Sequence, residues 1–302
     1  MRDPLQRLVS NLGQVIVGKE TALELVLVGL LAGGHVLLED VPGVGKTLLA
    51  KALARSLGGS FQRIQATPDL LPTDLSGTNI WNPKTAEFEF RPGPVFCNIL
   101  LADEINRATP RTQSALLEVM EEYQVTIDGV TYALPQPFFV IATQNPVEYQ
   151  GTFPLPEAQL DRFALCLSLG YPSEDEELQM LQRLQGGLDL KQLSPCLSLS
   201  DIEQLRQQVL QVHVEPVVQK YILSLVRSTR ESDRITLGVS PRGTVMLQRT
   251  AQALAFLSDR DYVVPDDVKR LAPHVLGHRL ITTAGRSNLA FVAELLNTVP
   301  VP

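Results

Sequence analysis

The chain has 302 residues, of which 44% are hydrophobic and 20% are charged. This composition is typical of a globular protein and excludes a largely disordered one. The formal net charge of −7 argues against a protein that is held chiefly on nucleic-acid phosphates. Because chains longer than about 250–300 residues tend to divide, two domains are expected.

The amino-terminal part of the chain predicts two helices, over residues 1–14 and Thr21–Leu31. The apolar run Leu23–Leu38 is interrupted by Glu24 and His35, which favours a buried helix and strand over a membrane span. The first residues lack the apolar segment of a signal peptide, so we expect a cytoplasmic protein. Three widely spaced cysteines predict free thiols in a reducing compartment.

The stretch Leu37–Thr47 predicts a phosphate-binding loop, because a short apolar strand leads through a turn rich in glycine into Gly-Lys-Thr and a helical pattern. In such a loop glycines let successive N–H groups face a phosphate, and the helix N-terminus adds partial positive charge. A lysine reaches the β- and γ-phosphates, and the Thr47 hydroxyl ligates Mg²⁺. The predicted nucleotide-binding residues are Pro42, Gly43, Val44, Gly45, Lys46, Thr47 and Leu48.

Two features near this loop are less regular. Asp40 stands where the strict motif has a glycine, so the loop loses its first flexible joint and gains an anion near the site. Earlier in the chain, Val17 and Gly18 form an apolar turn. This turn could pack on an adenine ring or belong only to the core, and the sequence leaves both possibilities open.

A long irregular stretch separates the next predicted strands. Phe61–Gln65 alternates as a strand does, and residues 66–94 contain a predicted hairpin around Asn82. Such an insertion is either a functional loop or a surface feature without a role. A second hairpin is predicted at Asp128-Gly129, since this dipeptide favours a type I′ turn.

The apolar run Val95–Ala102 predicts a central parallel strand that ends in two acids. Asp103 is expected to hold Mg²⁺, directly or through water, and Glu104 to polarise the attacking water as general base. The alternative is that both carboxylates only cap the following helix. The phosphate-binding loop favours the first interpretation, because the two segments need each other.

A further buried strand is predicted over Phe138–Ala142, and it delivers the polar residues 143–145 to the carboxyl edge of the sheet. Arg162 lies in a short helical segment, where by itself it indicates a surface residue or a neighbour of Asp161. After residue 170 the pattern is helical, and Ser240-Pro241 opens a helix that presents Arg242 in its first turn. Two later histidines lack the glutamate of a zinc motif, and no metal site is predicted there.

With these motifs in order, the chain resembles AAA+ ATPases and, more closely, the MoxR family. Four stretches carry the resemblance, which covers essentially the whole chain: Leu38–Thr47, Ala102–Glu122, Ala142–Pro146 and Glu157–Phe163. The second of them is long and highly specific.

The resemblance implies an α/β fold, an AAA+ αβα P-loop domain with a parallel sheet followed by a smaller all-helical lid domain. We place the first domain at residues 1–170, with hairpin insertions near 66–94 and 124–136, and the lid at 171–302. The two hairpins match insertions shared with magnesium chelatase and replicative helicases, which tend to line the pore of a ring.

The resemblance also implies ATP and Mg²⁺ as cofactors and a homo-oligomer, usually a hexameric ring. Asn145 matches sensor 1, Arg242 matches sensor 2, which reaches the γ-phosphate from the lid, and Arg162 matches an arginine finger supplied to the neighbouring subunit. With Glu104 these are the predicted catalytic residues. The form of the P-loop with Asp40 resembles that of MoxR proteins.

MoxR proteins remodel or mature protein clients, often with a von Willebrand factor A domain partner, and we expect the same here. The alternative of a nucleic-acid motor is disfavoured by the acidic turn at Asp128, with Lys84 as the lone base at the other hairpin tip. A nucleotide switch with little turnover is disfavoured by the presence of Glu104 and Arg162.

Overall fold

The computed structural model describes residues 3–146, 151–185, 190, 193–283 and 288–302. Its described strands are β1 (Val36–Glu39), β2 (Phe61–Gln65), β3 (Gly77–Asn82), β4 (Glu87–Pro92), β5 (Ile99–Asp103), β6 (Gln124–Ile127), β7 (Val130–Ala133), β8 (Phe139–Gln144), β9 (Leu165–Leu167), β10 (Ile235–Leu237) and β11 (Ile281–Thr282). Its described helices are α1 (Asp3–Val15), α2 (Glu20–Leu31), α3 (Lys46–Ser56), α4 (Pro72–Ser76), α5 (Pro110–Glu122), α6 (Glu157–Leu160), α7 (Glu174–Gln185), α8 (Leu199–Val209), α9 (Pro216–Glu231), α10 (Pro241–Leu257), α11 (Pro265–Leu276) and α12 (Asn288–Thr298).

Five strands form a parallel sheet in the order β2-β5-β8-β1-β9. β1, β5 and β8 are buried along most of their length, as expected for continuous apolar runs covered by helices on both faces. Their registers pair Glu39 with Gln144 and Gln65 with Asp103. The polar ends of four strands therefore meet at one edge of the sheet, which is where open α/β sheets bind ligands.

The central strand is shorter than the sequence predicts, because pairing begins at Ile99 and not at Val95. The preceding residues form a turn, in which the Phe96 amide donates to the Gly93 carbonyl and the Cys97 amide to the Val95 carbonyl. Val95 and Cys97 are nevertheless fully buried. The apolar run Val95–Ala102 therefore predicts burial correctly, but only its second half pairs with neighbouring strands.

The expectation of an all-helical lid is wrong in one respect, since β10 and β11 pair as an antiparallel ladder within it. The two strands have only three and two residues, which is too short for an alternating pattern to be recognised. Helices of the two parts of the chain also share one hydrophobic core, because α2 packs against both α8 and α10. α2 is apolar on nearly all sides and is buried accordingly.

Both predicted hairpins are present, as β3–β4 and β6–β7. The turn of the second has positive φ at Asp128 and Gly129, 50° and 82°, as a type I′ turn requires. The two hairpins contact each other, since the Phe90 and Tyr132 rings stack at 4.1 Å. Trp81 and Phe88 remain largely exposed on the first hairpin.

None of the described helices is long and apolar enough to cross a bilayer. All three cysteines are free. Cys97 is the buried one, and burial raises the pKa of its thiol to about 12.

Candidate active site

The phosphate-binding loop has the open shape that its sequence predicts. Gly43 and Gly45 adopt positive φ, 90° and 98°, and a Cβ added to either would meet no atom within 4 Å. Gly45 is also the N-cap of α3, so the start of this helix faces the same space. The Lys46 amine donates to the carbonyls of Asp40 at 2.8 Å and Val41 at 3.1 Å. A loop with open space at its glycines, a helix N-terminus and an amine together fit a chain of phosphates.

A cavity of about 420 Å³ brings this loop together with the two predicted acids and Asn145. Val44 packs its side chain against the main hydrophobic core and is not among the residues that line this cavity, so its predicted role in nucleotide binding stays a prediction. Burial lowers the pKa of the Lys46 amine, against the opposing effect of nearby carboxylates. The cavity is lined by Pro42, Gly43, Gly45, Lys46, Thr47, Leu48, Arg63, Gln65, Asp103, Glu104, Thr143 and Asn145.

Thr143 fixes the positions of both acids. Its buried hydroxyl donates to Asp103 Oδ1 at 2.6 Å and accepts from the Glu104 amide at 2.9 Å. Glu104 itself has a left-handed backbone, with φ of 55°, which is uncommon outside glycine. Strained backbone of this kind persists where surrounding contacts hold it, and it concentrates at functional sites.

Arg63 and Gln65 also belong to the site, although the sequence analysis did not select them. Arg63 Nη2 lies 2.7 Å from Asp103 Oδ2, and Gln65 Nε2 donates to Glu104 Oε2 at 2.9 Å. Arg107 Nε is 3.2 Å from the same glutamate oxygen. The alternation of Phe61–Gln65 was a usable signal, because it places Arg63 and Gln65 on one face of a strand.

Asp40 directs its carboxylate towards the residues after β9 and not into the P-loop cavity. Burial lowers the pKa of the Lys46 amine and the charge of Asp40 still raises it, so the expectation of an anion near the site is confirmed. The Asp40 side chain is only 4% exposed. Oδ1 accepts from Ser168 Oγ at 2.7 Å and from the Gly170 amide at 3.0 Å, and Oδ2 accepts from the Leu169 amide at 2.7 Å. Asp40 thus ties the start of the P-loop to the end of β9.

Gly18 lines a separate cavity of about 230 Å³, which Leu167–Leu169 and His274 also line. Gly18 has a positive φ of 68°, which favours glycine, and a Cβ there would meet the end of the Glu176 side chain. Val17 is buried and is not among the residues that line this cavity. A role for Val17 and Gly18 at an adenine ring stays a prediction, as does the core-packing alternative.

The two predicted catalytic arginines lie together, on a carboxylate that the sequence analysis missed. Arg162 Nε is 3.1 Å from Glu121 Oε2, and Arg242 Nη2 is 2.9 Å from Glu121 Oε1. Neither arginine is among the residues that line the P-loop cavity of its own chain. Their roles as arginine finger and sensor 2 stay predictions.

A junction at Asp161 fixes the backbone that carries both arginines. Arg279 Nε donates to Asp161 Oδ1 at 2.7 Å, and Arg279 Nη2 donates to the carbonyls of Asp161 and Phe163. Ser240, the N-cap of α10, donates from Oγ to Asp161 Oδ2 at 2.8 Å. The loop before Arg162 and the helix that begins before Arg242 are therefore bonded to each other.

Comparison with known proteins agrees with this geometry. Residues 35–165 match the family model described as "ATPase family associated with various cellular activities (AAA)", and residues 227–297 match "AAA lid domain". The chain is 52% identical to Uncharacterized protein YeaC of Bacillus subtilis, over 99% of this chain and 95% of that protein. It is 45% identical to Chaperone MoxR1 of Mycobacterium tuberculosis, over 92% and 76% of the two chains.

Two further similarities cover the full length. Protein MoxR of Methylorubrum extorquens is 30% identical over 100% of this chain and 96% of its own. The crystal structure of a protein from Cytophaga hutchinsonii, named for an inferred ATPase activity, superposes with a TM-score of 0.92 at 41% identity, covering 100% of this chain and 96% of that chain. On the P-loop, the paired acids, the lid and these relatives, the chain belongs to the MoxR family of AAA+ ATPases.

Proposed function

We propose that the protein hydrolyses ATP with Mg²⁺ as a homo-oligomeric ring and uses the cycle to remodel or mature a protein client. The observation that carries the proposal is the cavity in which the P-loop faces Asp103, Glu104 and Asn145. It joins phosphate binding to a carboxylate that can accept a proton, which is the combination that phosphoryl transfer to water needs.

The residues that bind nucleotide and activate water have distinct roles within this cavity. Lys46 and the P-loop amides bind the β- and γ-phosphates, and Glu104 accepts the proton of the attacking water. Asn145 offers an amide to the water or to the γ-phosphate. Asp103 and Thr47 supply the oxygen ligands that Mg²⁺ prefers, so the donor set fits this ion. The ion would neutralise charge on the phosphate oxygens.

The positions of Arg162 and Arg242 support a ring. Cations besides Lys46 would stabilise the transition-state charge on the phosphate, and these two arginines lie outside the cavity of their own chain. A neighbouring subunit can supply Arg162, as arginine fingers do, with an effect of about 10³–10⁵ on rate. The resemblance implies that Arg242 reaches the γ-phosphate from the lid, but Arg242 contacts the same carboxylate as Arg162, so we propose that the neighbour supplies both. We propose a hexamer, the usual form of AAA+ rings.

A protein client is supported by a relative that is named a chaperone and by the first hairpin, on which Trp81 and Phe88 are exposed. Apolar side chains of this kind can contact polypeptide segments. We propose that a von Willebrand factor A domain protein assists and that the complex works in the cytoplasm.

Subunit mixing tests the central claim. Lys46→Ala should lose nucleotide binding, and Arg162→Ala should bind ATP but hydrolyse it slowly. A mixture of the two should recover activity, because intact arginines then meet intact pockets. Arg227→Ala, an exposed arginine on α9, is the matched control and should behave as wild type. Mixed rings that stay inactive would overturn supply by a neighbour.

Capture from native lysate tests the client. Glu104→Gln should keep ATP binding and slow hydrolysis by roughly 10²–10⁴, the scale of a general base. In the presence of Mg²⁺ and ATP this variant should retain its partner. Recovery of a von Willebrand factor A domain protein or an enzyme complex is expected. Recovery of nuclease-sensitive DNA would favour a nucleic-acid motor and overturn the client proposal.

A further inference from the structure

Glu121 lies in the last turn of α5, on the helix that follows the two catalytic acids. Each of its carboxylate oxygens contacts a different arginine, Oε2 with Arg162 Nε and Oε1 with Arg242 Nη2. We infer that Glu121 is a positioning residue, which holds the two arginines side by side as one phosphate-binding pair for the nucleotide of a second copy of this chain. The inference rests on the proposed function, because it needs hydrolysis at a site between subunits.

The contact contributes little as a surface ion pair. The three side chains are 28–40% exposed, and exposed pairs of this kind add little to folding stability. Two positive guanidinium groups also repel each other when they are brought together. The Glu121 carboxylate between them offsets this repulsion. The main effect of Glu121 is therefore on the orientation of the two arginine side chains and not on folding stability.

The fold fixes the backbone positions of the two arginines but does not by itself fix their guanidinium groups. Arg279 and Ser240 bind Asp161, which sets the loop before Arg162 and the first turn of α10 before Arg242. Arginine side chains have several rotatable bonds, and ordering them costs entropy. Glu121 supplies the missing constraint, and charged groups that are preorganised cost no reorganisation during the reaction.

The geometry leaves both arginines able to bind phosphate. Glu121 is in contact with Nε of Arg162 and with Nη2 of Arg242, and each guanidinium has five N–H donors. The remaining donors can bind phosphate oxygens while the carboxylate keeps its place. Two cations and one anion leave a net positive charge, which suits the γ-phosphate of a neighbouring subunit.

The experiment measures the effect of Glu121 on ATP hydrolysis at the site of the neighbouring subunit. Arg162→Ala subunits, which have an intact pocket, are mixed with donor subunits that carry Lys46→Ala. The Lys46→Ala donor should restore hydrolysis, and so should a donor that also carries Glu122→Gln, the adjacent exposed glutamate. A donor that also carries Glu121→Gln should lower kcat at least about tenfold, with KM for ATP changed less than about twofold.

Two further measurements separate positioning from folding. The midpoint of urea unfolding of Glu121→Gln should equal that of Glu122→Gln. Glu121→Asp, which keeps the carboxylate, should recover part of the lost kcat. A Glu121→Gln donor that activates as well as the control, or better, would overturn the inference while leaving the proposed function intact. If even the Lys46→Ala donor restores nothing, supply by a neighbour fails and the role of Glu121 fails with it.

Discussion

Ser240 Oγ donates to Asp161 Oδ2 at 2.8 Å, and this hydrogen bond joins the N-cap of lid helix α10 to the loop that carries Arg162. Arg279 donates to the other oxygen of the same carboxylate at 2.7 Å. Two lid residues thus converge on one acid beside the proposed arginine finger. The finger and the first turn of α10 are consequently placed as one unit.

Loss of Arg279 should destabilise the protein strongly. Its side chain is 1% exposed and pairs with Asp161, so Arg279→Met removes the positive partner of this carboxylate and the Arg279 hydrogen bonds to the Asp161 and Phe163 carbonyls. Breaking a buried pair on one side costs about 3–5 kcal/mol, and urea unfolding should show a decrease of that size. Arg227→Met, on an exposed arginine, is the control and should stay within about 1 kcal/mol of wild type. A small effect of Arg279→Met would contradict the importance of the Asp161 junction.

Replacing Asp40 with the glycine of the strict P-loop motif should lower the stability of the protein. Asp40→Gly removes the acceptor for the Leu169 and Gly170 amides and leaves them without a side-chain partner, at a cost of roughly 1–3 kcal/mol. Asp40→Asn keeps one acceptor oxygen and should lose less. Urea unfolding checks the order of stability, and a glycine variant as stable as wild type would show that the Asp40 contacts are dispensable.

Acid should weaken folding through His35. Burial lowers the pKa of this imidazole to about 4, against the hydrogen bond between Nε2 and the Met120 carbonyl, which raises it, and the positive charges of Arg206 and Arg242 lower it further. Nδ1 accepts from the Val140 amide. The unfolded chain binds the proton near pH 6.5, so stability is complete above about pH 6.5 and is lost as pH falls towards 4. At about 1.4 kcal/mol per pH unit, the loss from His35 reaches about 3 kcal/mol.

Urea unfolding at a series of pH values checks this dependence. The pKa of His274 is lowered by burial, and that of His278 is lowered well below the usual value, so both add to the trend in the same direction. His35→Asn should be less stable near neutral pH but should lose less on acidification. An unchanged slope in this variant would show that His35 does not cause the acid sensitivity.

The two hairpins should be energetically coupled through the stacked rings of Phe90 and Tyr132. A double-mutant cycle with Phe90→Leu and Tyr132→Leu should give an interaction energy of about 0.5–1.5 kcal/mol. Urea unfolding of the four proteins measures it. Additive effects would mean that the hairpins contact each other without stabilising each other.

Each part of the site that the sequence could predict lies in one short segment of the chain. The P-loop, the acids after β5 and Asn145 after β8 each follow from a local pattern, and the parallel sheet brings them to one edge. Glu121 and Arg279 were missed, because their partners Arg162 and Asp161 are far along the chain and no local pattern marks such pairs. The hydrogen-bond partners of Asp40 were missed for the same reason, since they lie beyond β9.

The hydrogen bonds from Lys46 to the carbonyls of Asp40 and Val41 affect how tightly the amine can hold a nucleotide. Nucleotide that reaches this amine exchanges partners with it rather than meeting a bare charge, so the net gain in free energy is smaller than the new contact alone would give. The same exchange operates in reverse when product leaves. Because Lys46 can bind the two carbonyls again, release of the product loses less free energy. We expect this moderate affinity to favour faster product release and repeated turnover.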